Sequence, residues 1–313
     1  MNKIFKIKFK EDVYEGLQKY KKTLPCKYFY DENGSKLFDQ ICLLKEYYPT
    51  KTEIDILNKS ILDIAKYLGK QISVYEFGAG SANKIRILLD NLPIINYFPI
   101  DISIEYLNKF SKLLSNEYPK VSINPVFGDF TKNIIYPKEF VKNKNKMGFF
   151  PGSTIGNFNA NDAGNILKSF GQFLGNNSKL LIGVDLKKDE DILTKAYNDK
   201  SGITAKFNLN LLLRINKELN ADFDIDEFKH LAVYNQSMNR IEMHLISQKK
   251  QTVKIGEKKF NFKLNESIHT ENSYKYTTDE FKKLAKNNLF QTERIWLDEN
   301  KLFSIFLLRF ENK

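Results

Sequence analysis

The chain has 313 residues, 42% of them apolar, which is enough for two modest domains or one large one around a real core. Two cysteines, Cys26 and Cys42, exclude a disulfide framework, and no Cys-x-x-Cys pair or histidine cluster along the chain suggests a metal. The net charge of +11 is nearly all lysine spread along the chain, with arginine only at 86, 214, 240, 294 and 309; base readout favours arginine forks and single-strand binding wants aromatics in a basic groove, so no nucleic-acid partner is expected.

The first segment, MNKIFKIKFKED, alternates lysine with apolar residues and lacks the continuous apolar stretch of a signal peptide. No membrane-spanning run follows, so a cytoplasmic protein with no membrane partner is expected. Tyrosines then crowd Lys27-Tyr28-Phe29-Tyr30-Asp31 and Glu46-Tyr47-Tyr48-Pro49-Thr50. They place hydroxyls on rigid aromatic bodies, which a ligand site can use; an aromatic core whose hydroxyls meet backbone is the plainer reading. A helix is predicted over 53–68.

Residues 73–77 read as a buried strand running into the segment YEFGAGS, which carries Glu76, Gly78 and Gly80, and 82–91 can form a helix. A strand, a tight glycine turn and a helix make a nucleotide-binding crossover. Glycine is needed because a side chain would hold the backbone away from the ligand, and because the turn calls for positive φ. Asn83 stands where a dinucleotide fingerprint has its third glycine. That argues against NAD and suits the shorter E-x-G-x-G loop of S-adenosylmethionine-dependent methyltransferases. The next strand, 96–100, leads into Asp101, roughly 20 residues after the glycines. A carboxylate there can accept from both hydroxyls of a ribose, or can cap the helix predicted over 103–117.

Strands at 122–127, 146–150 and 179–185 alternate with helices at 160–174 and 190–199, the pattern of an α/β parallel sheet covered on both faces. Phe149 to Phe158, FPGSTIGNF after the first phenylalanine, follows the fourth strand, where this fold places ligands. Asn157 offers both a donor and an acceptor, suited to the charged head of an amino acid, or it caps the following helix. Between about 200 and 275 the rhythm breaks into a helix, 203–219, and strands at 239–247, 251–256 and 258–264. In the first of these Ile241, Met243 and Leu245 share a face, so Met243 reads as core and His244 as an outward residue without a role. Glu271 followed by Ser273 reads as turn chemistry. Two strands at 290–298 and 302–309 close the chain as an antiparallel hairpin.

The fold expected is therefore a Rossmann-like methyltransferase sheet with a C-terminal antiparallel hairpin, formed by 52–190 and 276–313. A second, smaller α+β domain for substrate is expected from 1–51 and 191–275.

The motifs KYFYD, GSKLFDQIC, EYYPTKTE, EFGAGS, FPGSTIGNF, AYNDKSGITAKFNLNLL, RIEMHL and TENSYKY, in this order, resemble the S-adenosylmethionine-dependent histidine Nα-methyltransferases of ergothioneine biosynthesis from about Leu24 to the end. The resemblance implies S-adenosylmethionine as cofactor and trimethylation of the α-amine of L-histidine to hercynine. Sister members act on other aromatic amino acids, tryptophan-like ones among them. It assigns Tyr30, Gly78, Gly80, Lys84, Asp101, Asp129 and Phe130 to the cofactor. It gives Asn157 and Tyr197 the substrate's amine and carboxylate, and with them the catalytic role of orienting the amine. Tyr47, Met243, Glu271 and Ser273 fall to the imidazole. No metal is implied, and a monomer is expected. Lys45 departs from the proline that the family commonly has before Glu-Tyr-Tyr. A nucleic-acid methyltransferase is disfavoured, because FPGSTIG replaces the D/N-P-P-Y/F loop and Pro25-Cys26 lies far upstream. A non-catalytic binding module on the same fold is the remaining alternative.

Overall fold

The computed structural model describes residues 3–80, 82–132 and 145–312. Ser81, the last residue of the YEFGAGS segment, lies outside the described residues. The chain divides into two compact units, 1–48 with 188–273 and 49–187 with 274–313; the sequence expectation had placed the breaks after 51, 190 and 275. The strands along the chain are β1 (Lys22–Thr23), β2 (Ile72–Phe77), β3 (Ile94–Asp101), β4 (Ser122–Ile123), β5 (Val126–Phe127), β6 (Lys146–Phe150), β7 (Lys179–Asp185), β8 (Phe228–Asn235), β9 (Arg240–Ser247), β10 (Gln251–Ile255), β11 (Lys258–Phe262), β12 (Ser267–Tyr274), β13 (Phe290–Leu297) and β14 (Phe303–Phe310).

In the larger unit the strand order is β13-β14-β7-β6-β2-β3-β4, with β5 beside β3. The pairs from β7 across to β4 are parallel. β14 runs antiparallel to both β7 and β13. Strands β2 and β6 are buried along their whole length. A parallel sheet covered on both faces needs continuous apolar runs rather than alternation, which is why these segments read as they do. One face packs on the helices Tyr48–Lys66, Ala82–Asn91 and Ile104–Glu117 through Ile56, Ile85, Leu88 and Leu107. The other packs on Ala160–Leu174 and Thr278–Asn287 through Ile166, Phe170 and Phe281. Pro49 lies in the first turn of its helix, where its missing N–H costs nothing.

The expected strand 122–127 is broken into β4 and β5, both paired to β3. Asn124-Pro125 separates them, and Pro125 has no N–H to give the ladder. From the central pair β2/β6 the connections run outward in opposite directions, which opens a crevice at the carboxyl ends of these strands.

The smaller unit holds a four-stranded sheet in the order β1-β12-β9-β8 and the separate hairpin β10/β11. Strand β9 buries every second residue, Ile241, Met243, Leu245 and Ser247. The helices Glu190–Tyr197 and Ile203–Leu219 pack on β8 and β9. Asp199 fixes the start of the longer helix by accepting from the N–H groups of Ile203 and Thr204 at 3.0 and 2.8 Å and from the Ser201 hydroxyl. Burial alone would push its carboxyl up; those donors overrule it and hold it down at about 2.

Candidate active site

The loops after β2, β3, β5 and β6 leave the same edge of the larger unit's sheet and carry its polar groups. Gly78, with φ +75°, makes the turn after β2. Its N–H is bonded to the Ile100 carbonyl at 2.9 Å, and a Cβ there would stand 3.2 Å from the Phe130 ring. Both the backbone sign and Phe130 therefore demand glycine. Gly80 is different: a Cβ there would meet nothing within 4 Å, so the backbone at the entry to the helix Ala82–Asn91 is open to a ligand.

Asp101 ends β3, and its Oδ1 accepts the Ser103 N–H at 2.8 Å. Burial pushes its carboxyl up to about 7, against the opposing backbone N–H groups of Ser103 and Ile102. Asp129 turns the loop after β5 by accepting from Thr131, and Phe130 packs on Phe150 with ring centroids 5.3 Å apart. Glu76 is buried beneath this edge and accepts the hydroxyl of Tyr97. Burial pushes Glu76 up to about 8, with Tyr97 and Lys84 working against it and Asp101 and Glu53 adding to it.

Lys84 enters a buried ion pair with Glu53 at 2.5 Å. The same carboxylate accepts the Gly152 N–H at 2.8 and 3.0 Å. Gly152 (φ +77°) and Ser153 (φ +55°) are both left-handed and lead into the tight turn Thr154–Asn157. Ser153 Oγ accepts the Asp185 N–H at 2.9 Å, and Asp185 is paired with the fully buried Lys275 at 2.6 Å. A Cβ on Gly156 would come within 2.9 Å of the Tyr274 carbonyl, so this loop is pressed in place. The cap of the following helix is Asn159, which takes the N–H groups of Asn161 and Asp162. Asn157 is not spent on that task.

The remaining expected residues belong to the smaller unit. Tyr30 packs edge-on against Phe38 and Phe207. Tyr47 is buried and meets the Tyr197 ring edge-on at 6.0 Å. Burial holds the Tyr47 hydroxyl well above its ordinary range, helped by Tyr197, Cys42, Tyr30 and Glu271 around it. Tyr197 OH and Ser273 Oγ are 2.8 Å apart and share a hydrogen bond, so these two residues, separated by 76 positions, act as one hydroxyl pair. Glu271 faces Tyr47 and Cys26; burial and then Glu271 push the Cys26 thiol up to about 12, which removes it as a nucleophile. Met243 is a core residue at 1% exposure, its carbonyl taken by Thr270. One arrangement thus gathers Tyr47, Tyr197, Glu271 and Ser273, while Met243 lies on the buried face of β9.

Comparison with known proteins gives the family. A profile described as histidine-specific, SAM-dependent methyltransferase matches residues 9–310. The chain belongs to this family. It is 38% identical to the histidine N-alpha-methyltransferase of Mycobacterium tuberculosis over 95% of this chain and 94% of that protein. It is 36% identical to the protein of the same name from Mycolicibacterium smegmatis, with the same coverage of 95% and 94%. It is 32% identical to ergothioneine biosynthesis protein 1 of Neurospora crassa over 84% of this chain and 30% of that much longer protein. This methyltransferase therefore uses S-adenosylmethionine, and its own residues suit that ligand: open backbone at Gly80, a lysine in the first turn of the next helix, and a carboxylate at the end of β3.

Sequence reasoning missed Glu53, yet its signal was present. In the helix Tyr48–Lys66 it sits on the same stripe as Ile56, Leu57, Ile61 and Ile64, a charge where the period demands an apolar residue. The pair Asp185–Lys275 and the network linking Asn208 to His230 and Thr270 have no comparable signal, because their partners are brought together only by the fold. The chain shows no histidine cluster, but strand pairing creates one: His244 and His269 stack at 4.9 Å, and with Glu242 they place three possible ligand atoms within 4.8 Å of one another. Glu242 is already held by Arg240 at 2.6 and 2.8 Å and by His244 at 3.0 Å. Burial pushes its carboxyl up, but Arg240, Asn235 and His244 overrule that and hold it at about 2. Glu242 is thus occupied by its neighbours, whereas His244 Nδ1 is buried without a hydrogen-bond partner among the described residues.

Proposed function

We propose that this methyltransferase moves methyl groups onto the α-amino nitrogen of L-histidine, carrying it to the Nα-trimethyl betaine, hercynine. The family match over residues 9–310 is the observation that carries the reading. S-adenosylmethionine supplies an activated sulfonium methyl. The cofactor's residues in this reading are Gly78, Gly80, Lys84, Asp101, Asp129, Phe130 and Tyr30. Asp101 takes the ribose hydroxyls, because a desolvated carboxylate gains most from two new donors.

The chain's own work is orientation. The nucleophile is a neutral amine whose lone pair must point at the methyl carbon, and holding reacting atoms about 3 Å apart supplies several kcal/mol of the barrier reduction. Asn157 and Tyr197 orient the amine and carboxylate. No strong base is needed, since an α-amine loses its proton at mildly alkaline pH. Glu271 accepts the imidazole N–H, with Tyr47 and Ser273 as hydroxyl partners and Met243 packing on the ring. The shared bond of Tyr197 and Ser273 links the group that holds the amine to a group that reads the ring.

The reading is completed by a cytoplasmic, monomeric enzyme with a small amino-acid substrate and no nucleic-acid partner. Among the described residues no helix is long and apolar enough to cross a membrane. The test is incubation with S-adenosylmethionine and L-histidine, with mass spectrometry of the product. Three added methyls on histidine are expected. Turnover of tryptophan or another amine in place of histidine overturns the substrate; S-adenosylmethionine binding without any turnover leaves a binding module.

A further inference from the structure

Glu53 belongs to no motif role above, yet it is among the most completely buried charged groups of the larger unit, at 1% exposure. Its carboxylate serves two partners. Oε2 grips Lys84 Nζ at 2.5 Å, in the first turn of the helix that follows the glycine loop. The same Oε2 accepts the Gly152 N–H at 2.8 Å, shared with Oε1 at 3.0 Å; Gly152 is the first residue of the left-handed pair that sets the turn bearing Asn157. Strand β7 makes room for this side chain with a glycine: a Cβ on Gly183 would come within 2.1 Å of Glu53 Oε1.

We propose that Glu53 is a positioning residue that couples the cofactor site to the loop holding the substrate amine. The inference rests on the functional reading above, in which Lys84 meets the cofactor and Asn157 the amine. A lysine at a helix entry beside open backbone suits the carboxylate of the cofactor's methionine part. Its arrival competes with Glu53 for Lys84. A carboxylate that gives up part of its grip on Lys84 tightens on Gly152, because a buried anion must find its hydrogen bonds somewhere. The loop from Gly152 to Asn157 is stiff, fixed at Ser153 by Asp185 and at Gly156 by Tyr274, so a change at Gly152 reaches Asn157 rather than dissipating. The cofactor thereby prepares the place of the amine before the amine arrives.

The test is calorimetry on the full chain with S-adenosylhomocysteine and L-histidine, each alone and in the presence of the other. In the wild-type protein S-adenosylhomocysteine should raise histidine affinity, within the roughly 5- to 150-fold range usual for coupled sites. Glu53→Gln should bring that factor close to one. It should leave S-adenosylhomocysteine affinity equal or higher, since a competitor for Lys84 has lost its charge. A merely structural glutamate would instead lose both affinities together with thermal stability, and that result overturns the proposal, as does an unchanged coupling factor. If Glu53→Gln does not fold, the coupling factor is read in Glu53→Asp, which keeps the charge but shortens its reach by one methylene; a lowered factor is expected, and an unchanged one overturns the proposal equally. Failure of the substrate reading is seen separately, as a wild-type protein that binds S-adenosylhomocysteine but not histidine; the coupling is then measured with the amino acid that it does methylate.

Discussion

Asp101 holds a carboxylate where water is scarce, and that makes cofactor binding depend on pH. Its pKa in the free protein is pushed up to about 7. Two ribose hydroxyls donate more strongly to the charged form than to the neutral acid, so binding lowers the pKa. Affinity is then full above about 7 and falls as the pH drops through 7 toward the lower bound-state value. Calorimetry from pH 8 to pH 6 should show weakening S-adenosylhomocysteine binding. Asp101→Asn should cost about 1.5–3 kcal/mol of affinity at pH 8 and flatten the pH dependence. An unchanged affinity would return Asp101 to the single task of fixing Ser103. Glu76 acts on stability instead. Its folded pKa of about 8 lies above the ordinary 4.5, so between these values the folded chain holds a proton that the unfolded chain lacks. That contribution strengthens the free protein as pH falls from 8 toward 4.5. Glu76→Gln, which imitates the protonated acid, should remove this part of the slope when melting temperature is followed against pH. A slope that survives unaltered means that Glu76 titrates normally.

At the scale of elements, the glycine turn after β2 and the ion pair behind the Asn157 loop make separable claims. Gly78→Ala forces a side chain to positive φ and to within 3.2 Å of Phe130, so S-adenosylhomocysteine affinity should fall more than tenfold while the sheet beneath stays folded. Equal affinity in that variant would show that Phe130 gives way freely. Lys275→Met takes the paired ammonium from the buried Asp185, which should cost on the order of 3–5 kcal/mol by denaturant unfolding. Adding Asp185→Asn should recover much of it, because no buried charge is then left; a double variant as weak as the single one would place the loss in packing. The parallel strands were legible because both of their faces are covered, which turns them into unbroken runs without a polar side chain such as 147–150 and 180–184. Strands β8 and β12 were not: His230, Asn235, His269 and Asn272 interrupt their runs. His230 is met by Asn208 and the Tyr197 carbonyl, Asn235 by Glu242 on the neighbouring strand and His269 by the Glu271 carbonyl two residues on, while Asn272 Oδ1 is buried without a hydrogen-bond partner among the described residues. The helix Thr278–Asn287 was missed although Thr277 and Glu280 form a full capping box, a signal that was there to be read. In the site, Gly78 and Asp101 follow from local pattern, whereas the bond of Tyr197 to Ser273 depends on a register between remote segments that no local pattern encodes.

For the whole molecule, charge and sheet edges both argue against self-association. With a net charge of +11, copies repel one another at low salt. The edges of the larger unit's sheet give little to pair with, whereas the smaller unit's sheet ends on the eight-residue strand β8. β4 is two residues long, and β13 is bulged between Thr292 and Arg294 with Glu293 and Arg294 standing there. Short, bulged and charged edges resist pairing whether or not the long-range charge is screened. Two grounds for the proposed monomer are thus open to separation, since repulsion between copies fades as the Debye length falls to about 3 Å at 1 M salt, whereas edge geometry does not. Sedimentation velocity over a hundredfold range of protein concentration, at low and at high salt, should show one species of 36.6 kDa in every case. A dimer that forms only at high salt would mean that lysine charge alone keeps the copies apart. A dimer at all salt concentrations would point to an interface that neither the edges nor the charge distribution reveals, and the monomer would have to be abandoned.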